Sequence, residues 1–224
     1  MDIKKIKKKI NLKGYYLIKS NFTEVSSLLA FGKKFGTLKK INSLRTHKES
    51  NFINVVERSK KHKNFFFGDV WHSDHAYDKR FPKYTMIYLK YVDKNPSSTY
   101  FLNRFDICAN LNKEEKNYLL NKTFELTPPK KQIQNLKKKG LKIHKRNVKG
   151  LIKFQKKIKI EISPYHVQRK SNIIKKIFKK FDLKKNYDEI KLKKNDIIIW
   201  DNRLIFHKAE KIAQKRIIYR LMIK

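Results

Sequence analysis

Residues 195–207 have the sequence NDIIIWDNRLIFH, and this stretch decides the fold. The four consecutive apolar side chains at residues 197–200 predict a short buried strand. The polar residues 201–203 that follow predict a tight turn, after which His207 begins the next segment. A buried strand that ends in a polar turn is typical of a sheet built from many short strands.

Short strands are predicted along most of the chain. They cover residues 14–19, 52–56, 84–91, 98–102, 158–162, 196–200 and 216–223. The arrangement favours a mainly β fold with added helices (α+β), a double-stranded β-helix or cupin-like jelly roll, over a βαβ arrangement.

Helices are predicted near the start of the chain and in its middle. The first covers residues 21–34, with Asn21 or Thr23 as its N-cap. A second helical region is predicted over residues 103–126, beginning near Asn110 or Asn112. A third helix is predicted to begin at Ser171, because apolar side chains follow it at helical spacing.

The length of 224 residues is that of one substantial domain, so residues 1–224 are expected to form a single domain. The lysine-rich stretch at about 128–155 is expected to be an insertion or a lid. The single cysteine, Cys108, excludes an internal disulfide and fits a reducing cytoplasm. No apolar run reaches the length of about 18 residues that a membrane span needs, so no membrane association is expected.

The net charge of +38 has two interpretations. A strongly basic chain can bind a polyanion such as nucleic acid. Only nine of the 57 basic residues are arginine, however, and the lysines are spread along the whole chain. Since Lys, Ile and Asn share adenine- and thymine-rich codons, the base composition of a genome explains the excess of lysine without any selection for binding. This interpretation is favoured, and nucleic acid is disfavoured as a partner.

Two histidines and one carboxylate are candidate metal ligands. His72 and Asp74 are two residues apart, so on a strand their side chains face the same way. His207 from a distant strand would complete a set that leaves three positions open on an octahedral ion, as in Fe(II) oxygenases, whereas zinc more often takes a closed tetrahedral set. Taken singly, a His-x-Asp pair is a weak signal and His207 is also explained as an ordinary turn histidine.

Two arginines near the C-terminus are candidate anion ligands. Arg216 and Arg220 are four residues apart and therefore share a face of the predicted strand. A guanidinium offers a planar fork to a carboxylate, and Arg216 follows His207 closely enough to enter the same cavity. The alternative is that both arginines are solvated at the surface.

Five segments together resemble the taurine dioxygenase (TauD/TfdA-like) family, in its order and at compatible distances. They are residues 71–74, 81–85, 98–101, 196–203 with His207, and 216–220. The resemblance covers roughly residues 12–224. It implies an Fe(II)- and 2-oxoglutarate-dependent dioxygenase that oxidises, most often hydroxylates, a small organic substrate with O2 and releases succinate and CO2.

The resemblance also implies a role for each matching residue. His72, Asp74 and His207 would bind Fe(II) as the catalytic centre. Thr99 and Arg216 would hold the distal carboxylate of 2-oxoglutarate. Arg220 matches a position that pairs with an anionic substrate group in some members.

The chain departs from the family pattern at two turns. Ser97 and Ser98 replace a glycine-bearing turn before Thr99, and Asn195 stands where a glycine usually precedes the late strand. Asparagine can adopt the same left-handed conformation. The remaining histidines are expected to be structural, solvated or, for His75, in the pocket; they are His47, His62, His75, His144 and His166.

A different class of function remains as an alternative at this point. The chain could be a basic polyanion- or nucleic-acid-binding protein that reuses the fold without oxygenase activity. The identity of the substrate and the oligomeric state, including a homo-oligomer, are left open by the sequence.

Overall fold

The computed structural model of the chain describes residues 2–20, 22, 24–59, 68–93, 96–167, 171–210 and 215–224. Within these ranges the chain forms six helices, which are α1 (Ile3–Lys13), α2 (Val25–Lys33), α3 (Arg104–Ala109), α4 (Lys113–Asn121), α5 (Lys130–Lys138) and α6 (Asn172–Lys184). The same ranges contain fourteen strands, which are β1 (Tyr15–Lys19), β2 (Leu38–Lys39), β3 (Thr46–His47), β4 (Ser50–Arg58), β5 (Tyr84–Val92), β6 (Ser97–Asn103), β7 (Thr123–Leu126), β8 (Arg146–Lys149), β9 (Leu151–Phe154), β10 (Lys157–Ile160), β11 (Asp188–Leu192), β12 (Asp196–Asp201), β13 (Ile205–Ala209) and β14 (Arg216–Ile223).

Two antiparallel sheets form the centre of the fold. The major sheet has seven strands in the order β1-β12-β5-β14-β4-β3, with β2 paired to β14. The minor sheet has the order β11-β6-β13. Buried side chains of both sheets pack together in one core, among them Trp200 of the major sheet and Phe101 of the minor sheet. The two sheets therefore face each other, and the expected jelly roll is confirmed.

Strand β12 shows why the sequence folds this way. Ile198 and Trp200 face the core between the sheets, while Ile197 and Ile199 pack in a second core on the other face of the major sheet. Successive side chains of a strand point to opposite faces, so a strand that is covered on both faces needs an unbroken apolar run. The strand predicted from residues 197–200 is buried for this reason.

Helices cover the outer face of each sheet. Helices α1 and α2 supply buried side chains to the outer core of the major sheet, and α3, α4 and α6 supply them to a core beside the minor sheet. The sequence did not predict α1, which Asp2 caps at its N-terminus. It ends at Gly14, whose φ is +88° and where a Cβ would lie 2.2 Å from the Ile205 side chain, so only glycine fits there.

Most of the other predicted elements are confirmed. Ser171 is the N-cap of α6, and Asn112 caps α4 in a capping box with Glu115. The helical region predicted over residues 103–126 is wrong in its last part, because residues 123–126 form β7 and pair with β8. The candidate caps of α2, Asn21 and Thr23, lie outside the described residues, and Glu24 occupies the N-cap position of that helix.

The lysine-rich stretch at about 128–155 contains α5, β8 and β9. Gln132 of α5 donates a hydrogen bond to the Tyr77 hydroxyl at 2.8 Å, close in sequence to the candidate metal ligands. That this stretch serves as a lid, within a single domain, stays a prediction.

Among the described residues, none of the helices has both the length and the apolar character that crossing a membrane requires.

Candidate metal centre

The backbone pairing of residues 72 and 207 brings distant parts of the chain together. His72 N donates to His207 O at 3.0 Å, and His207 N donates to His72 O at 2.8 Å. Two residues that exchange both hydrogen bonds are direct antiparallel partners, and their side chains lie on one face. The two imidazole rings are consequently 4.2 Å apart, measured between ring centroids.

Asp74 completes the group. One ligand atom from each of His72, Asp74 and His207 lies within 4.8 Å of the other two, and all three residues are buried. His207 Nε2 lies 3.6 Å from Asp74 Oδ2. The predicted ligands therefore converge, although 135 residues separate the first from the last in sequence.

The imidazoles are held in the neutral form that metal binding needs. Burial lowers the pKa of His72 to about 3 and the pKa of His207 to about 4. His72 Nδ1 lies 2.8 Å from the Val70 carbonyl and donates to it, which leaves the Nε2 lone pair for an ion. In the described part of the chain, His207 Nδ1 is buried without a hydrogen-bond partner.

Asp74 is held as a carboxylate. Burial alone would raise its pKa, but the Arg220 guanidinium and the two histidines keep that pKa below its usual range. Arg220 donates to Oδ1 at 3.1 Å, and Thr85 Oγ1 donates to Oδ2 at 2.8 Å. Two neutral imidazoles and one ionised carboxylate on one face fit a divalent iron ion.

The polar turn after β12 orients this carboxylate. Asn202 Oδ1 accepts hydrogen bonds from Asp74 N at 3.2 Å and from Trp200 Nε1 at 3.1 Å. Its amide nitrogen donates to Thr85 Oγ1 at 2.8 Å. Sequence reasoning identified the turn but missed the supporting roles of Asn202 and Thr85, which follow from contacts between distant segments.

Ser73, between the two ligands, contacts a buried group of charges. Its hydroxyl donates to the Ile205 carbonyl at 3.1 Å and accepts from Arg104 Nη2. Arg104 Nε also reaches the Ile205 carbonyl at 3.4 Å, and Nη1 donates to Glu161 at 2.8 Å. One guanidinium thus connects the His-x-Asp segment to the strand that carries His207. Sequence reasoning missed Arg104 altogether.

The ligands line a cleft of about 540 Å³, counting the space at its open mouth. Thr99, Arg216 and Arg220 line the same cleft, so the structure brings all six predicted site residues together. The further lining residues are Val56, Arg58, Gly68, Ile87, Trp200, Ala209 and Ile218. Gly68 has φ of +83°, and a Cβ there would lie 3.1 Å from the His72 ring.

Two donors in the cleft are left unused by the protein. Thr99 Oγ1 and Arg216 Nε are buried, and neither has a hydrogen-bond partner in the described ranges. Arg216 Nη1 donates to Ser97 Oγ at 2.6 Å. Burial, followed by the neighbouring Arg58, lowers the pKa of Arg216 to about 9, so it remains a cation at neutral pH. Buried donors without partners are costly, which indicates that a bound anion completes them.

The other histidines lie in different surroundings. His75 follows the motif with φ of +52°, and its Nδ1 lies 3.0 Å from the Tyr77 hydroxyl. His166 packs against the back of the motif, where its Nε2 lies 3.0 Å from the Ser73 carbonyl. His144 is exposed, and His62 lies outside the described residues.

Comparison with known proteins agrees with this site. Residues 3–222 match the model of the Taurine catabolism dioxygenase TauD, TfdA family. Two imidazoles and a carboxylate on a jelly roll define the class of mononuclear non-haem iron enzymes. Within that class, the chain belongs to the TauD/TfdA family. Enzymes of this family use Fe(II) and 2-oxoglutarate, and the chain is a 2-oxoglutarate-dependent dioxygenase.

Solved structures share the fold over the whole chain. A taurine dioxygenase from Burkholderia xenovorans is 11% identical, with a TM-score of 0.76 over 100% of this chain and 82% of that one. AAD-2 in complex with Mn(II) and N-oxalylglycine is 14% identical, with a TM-score of 0.73 over 100% of this chain and 88% of that one. A comparison with curated protein sequences gives no match.

Proposed function

We propose that the enzyme hydroxylates a small organic substrate that carries an anionic group, and that it converts 2-oxoglutarate and O2 to succinate and CO2 as it does so. One observation carries this proposal. The His72–Asp74–His207 group and the unpartnered donors of Thr99 and Arg216 line the same buried cleft. An iron-binding face and a carboxylate-binding end are what a bound 2-oxo dicarboxylate requires.

The three ligands would hold Fe(II), which supplies the activation of O2 when it is bound. The chain's own part is to prepare the site. The low pKa values of His72 and His207 keep both imidazoles unprotonated, and Arg220 with Thr85 fixes the orientation of Asp74. Because these side chains are buried, the site excludes bulk water and strengthens each electrostatic contact.

The distal carboxylate of 2-oxoglutarate would lie against Thr99 and Arg216. Thr99 Oγ1 offers one hydroxyl donor, and the guanidinium offers charge-assisted donors that suit a planar carboxylate. Arg216 is held in place by its hydrogen bond to Ser97 Oγ at 2.6 Å. This contact fixes the direction of the co-substrate and leaves its keto acid end to face the metal ligands.

The anionic group of the substrate is assigned to Arg220, which lines the cleft. Arg220 also forms the 3.1 Å ion pair with Asp74. An arginine has five N–H donors, so this ion pair does not prevent a second contact.

We also propose a cytoplasmic location, which the single buried cysteine, Cys108, supports.

Anaerobic addition of Fe(II) and 2-oxoglutarate tests the proposal. The complex is expected to give a weak visible charge-transfer band, and candidate anionic substrates can then be screened by succinate release in the presence of O2. His72→Ala is expected to abolish the band because it removes one ligand. His144→Ala, at an exposed histidine, is the matched control and should keep the band.

A band that survives His72→Ala unchanged would refute the ligand assignment. DNA retention with a steep salt dependence and no metal dependence would instead support the polyanion-binding alternative.

A further inference from the structure

A second guanidinium lies beside the proposed carboxylate site. In the antiparallel pairing of β4 with β14, Arg58 is the direct partner of Arg216. Side chains of directly opposed residues lie on the same face of a sheet. Both arginines accordingly line the cleft that contains the metal ligands and Thr99. The family resemblance assigned no role to Arg58.

A hydrogen bond at the edge of the cleft positions Arg58. Its Nη1 donates to the Glu210 carbonyl at 3.1 Å, next to Ala209, which also lines the cleft. A Cβ built on Gly68 would lie 3.6 Å from Arg58 Nη2 and 3.1 Å from His72 Cε1. The guanidinium therefore lies close to the metal-binding face as well as to Arg216.

Burial lowers the pKa of both arginines, and the more distant carboxylates of Asp69, for Arg58, and Glu210, for Arg216, only partly oppose it. Within the described residues, no carboxylate lies at ion-pair distance from Arg58 or Arg216, whereas Arg220 is paired with Asp74. For Arg216, the charge of Arg58 adds to the lowering by burial. A buried cation, Arg216, beside a half-buried one, Arg58, destabilises the ligand-free protein, and an anion between them would offset that cost.

We propose that Arg58 is a second ligand for the distal carboxylate of 2-oxoglutarate, which is then held between Arg58 and Arg216 with Thr99 as a third donor. This inference rests on the proposed function and deepens it. A carboxylate has two oxygens and about four lone-pair sites, enough for two guanidiniums and one hydroxyl. The arrangement would select 2-oxo dicarboxylates over 2-oxo monocarboxylates.

Calorimetric titration of the Mn(II)-loaded, substrate-free protein tests the inference without turnover. The probes are 2-oxoglutarate and 2-oxopentanoate, which lacks the distal carboxylate. Arg58→Gln is expected to weaken 2-oxoglutarate binding by about 10- to 100-fold, as for one charged hydrogen bond, and to change 2-oxopentanoate binding less than about twofold. Arg58→Lys keeps the charge and should recover part of the loss.

Two controls separate the outcomes. Arg45→Gln removes the same charge from an exposed position and should leave binding unchanged. Arg216→Gln reports on the proposed function itself and should weaken 2-oxoglutarate binding. If Arg216→Gln weakens it and Arg58→Gln does not, the inference fails and the proposed function stands.

The remaining outcomes are also decisive. If neither substitution weakens 2-oxoglutarate binding, the co-substrate site of the proposed function fails as well. If Arg58→Gln changes only the affinity for a later-identified anionic substrate, Arg58 belongs to the substrate and the inference is overturned. Thermal unfolding of each variant shows whether a loss of binding is caused by misfolding. If Arg58→Gln misfolds, the affinity of Arg58→Lys for 2-oxoglutarate tests the inference instead.

Discussion

Two groups of cations, all buried except the half-buried Arg58, border the candidate metal ligands, and they use their hydrogen-bond donors differently. The first group is the ion cluster, which consists of Arg104, Lys159 and Glu161. Both cations bind the Glu161 carboxylate, and their remaining donors form hydrogen bonds to Ser73 and to backbone carbonyls. The cavity arginines, Arg58 and Arg216, contact no carboxylate within the described ranges, and Arg216 Nε has no partner there.

This difference separates the structural arginine, Arg104, from the two arginines that we propose bind a ligand. Burial alone does not distinguish them, since Arg104 is 1% exposed and Arg216 is 3% exposed. What distinguishes them is whether the protein itself supplies the anion. The cations of the ion cluster are paired within the described residues, whereas under our proposals a bound carboxylate completes the cavity arginines.

The largest expected effect is on the free energy of unfolding. It is measured by substituting methionine for one arginine of the ion cluster and for one cavity arginine. Arg104→Met is expected to lower the free energy of unfolding by about 3–5 kcal/mol, because it breaks a buried ion pair and leaves Glu161 with fewer partners. Arg216→Met should leave the unfolding free energy of the ligand-free protein unchanged or higher, since it removes a buried charge that has no ion-pair partner among the described residues. Urea unfolding of the metal-free proteins measures both.

Metal affinity provides a second test of the distinction between the ion cluster and the cavity arginines. Arg104 connects Ser73 to the strand of His207, so the folded fraction of Arg104→Met should bind Mn(II) about 10- to 100-fold more weakly. Equal stability losses for Arg104→Met and Arg216→Met would break the distinction between the two groups.

The next largest effect is a pH dependence of the free energy of unfolding, caused by Lys159 in the ion cluster. Burial, followed by repulsion from Arg104, lowers the pKa of Lys159 from 10.5 to about 8. Between these values the unfolded chain binds a proton that the folded protein releases, so the contribution of Lys159 to stability rises with pH in this window. The gain is on the order of 3 kcal/mol.

The measurement is the difference in unfolding free energy between the unmodified protein and Lys159→Met, taken at pH values across that window. Subtraction removes the titration of other groups, such as the tyrosines. A difference that stays constant with pH would show that Lys159 titrates normally and that the cluster is less tightly compensated than the contacts indicate.

The smallest expected effect concerns two buried hydroxyls. Thr99→Val is isosteric and removes a hydroxyl that has no protein partner in the described chain, so ligand-free stability should not fall. Binding of 2-oxoglutarate should weaken by about 1 kcal/mol, or roughly fivefold. Ser73→Ala, which removes a hydroxyl bonded to Arg104 and Ile205, should instead lower stability by about 1–2 kcal/mol.

Calorimetry measures the 2-oxoglutarate affinity of Thr99→Val, and urea unfolding measures the stability of Thr99→Val and Ser73→Ala. If Thr99→Val destabilises the ligand-free protein as much as Ser73→Ala does, Thr99 has a structural role and the carboxylate assignment weakens.

The local sequence pattern was sufficient to predict many of the helices and strands. The caps at Asn112 and Ser171, and the strand at residues 196–200, depend on neighbours in sequence, so they could be predicted. Helix α1 and strand β7 were missed because they depend on distant partners. Helix α1 is lysine-rich and is stabilised by the burial of Ile6 and Ile10 against the outer core, and β7 exists through its pairing with β8.

The candidate site divides in the same way. His72, Asp74, His207, Thr99 and Arg216 could be named because their residue types and order carry the chemistry, and the structure brings them into one cleft. Arg58, Arg104, Thr85 and Asn202 could not be named. Each is an ordinary polar residue in its own segment, and each acquires its role from a partner in a different segment of the chain.

The sequence by itself determined the identity of the metal ligands and the two-sided burial of the late strand, since both depend on residue type and short-range alternation. Only the tertiary structure decided which arginine meets a carboxylate of the described residues and which does not. Strand register and side-chain packing set the distance from each guanidinium to a carboxylate, and neither can be deduced from the spacing of residues along the chain.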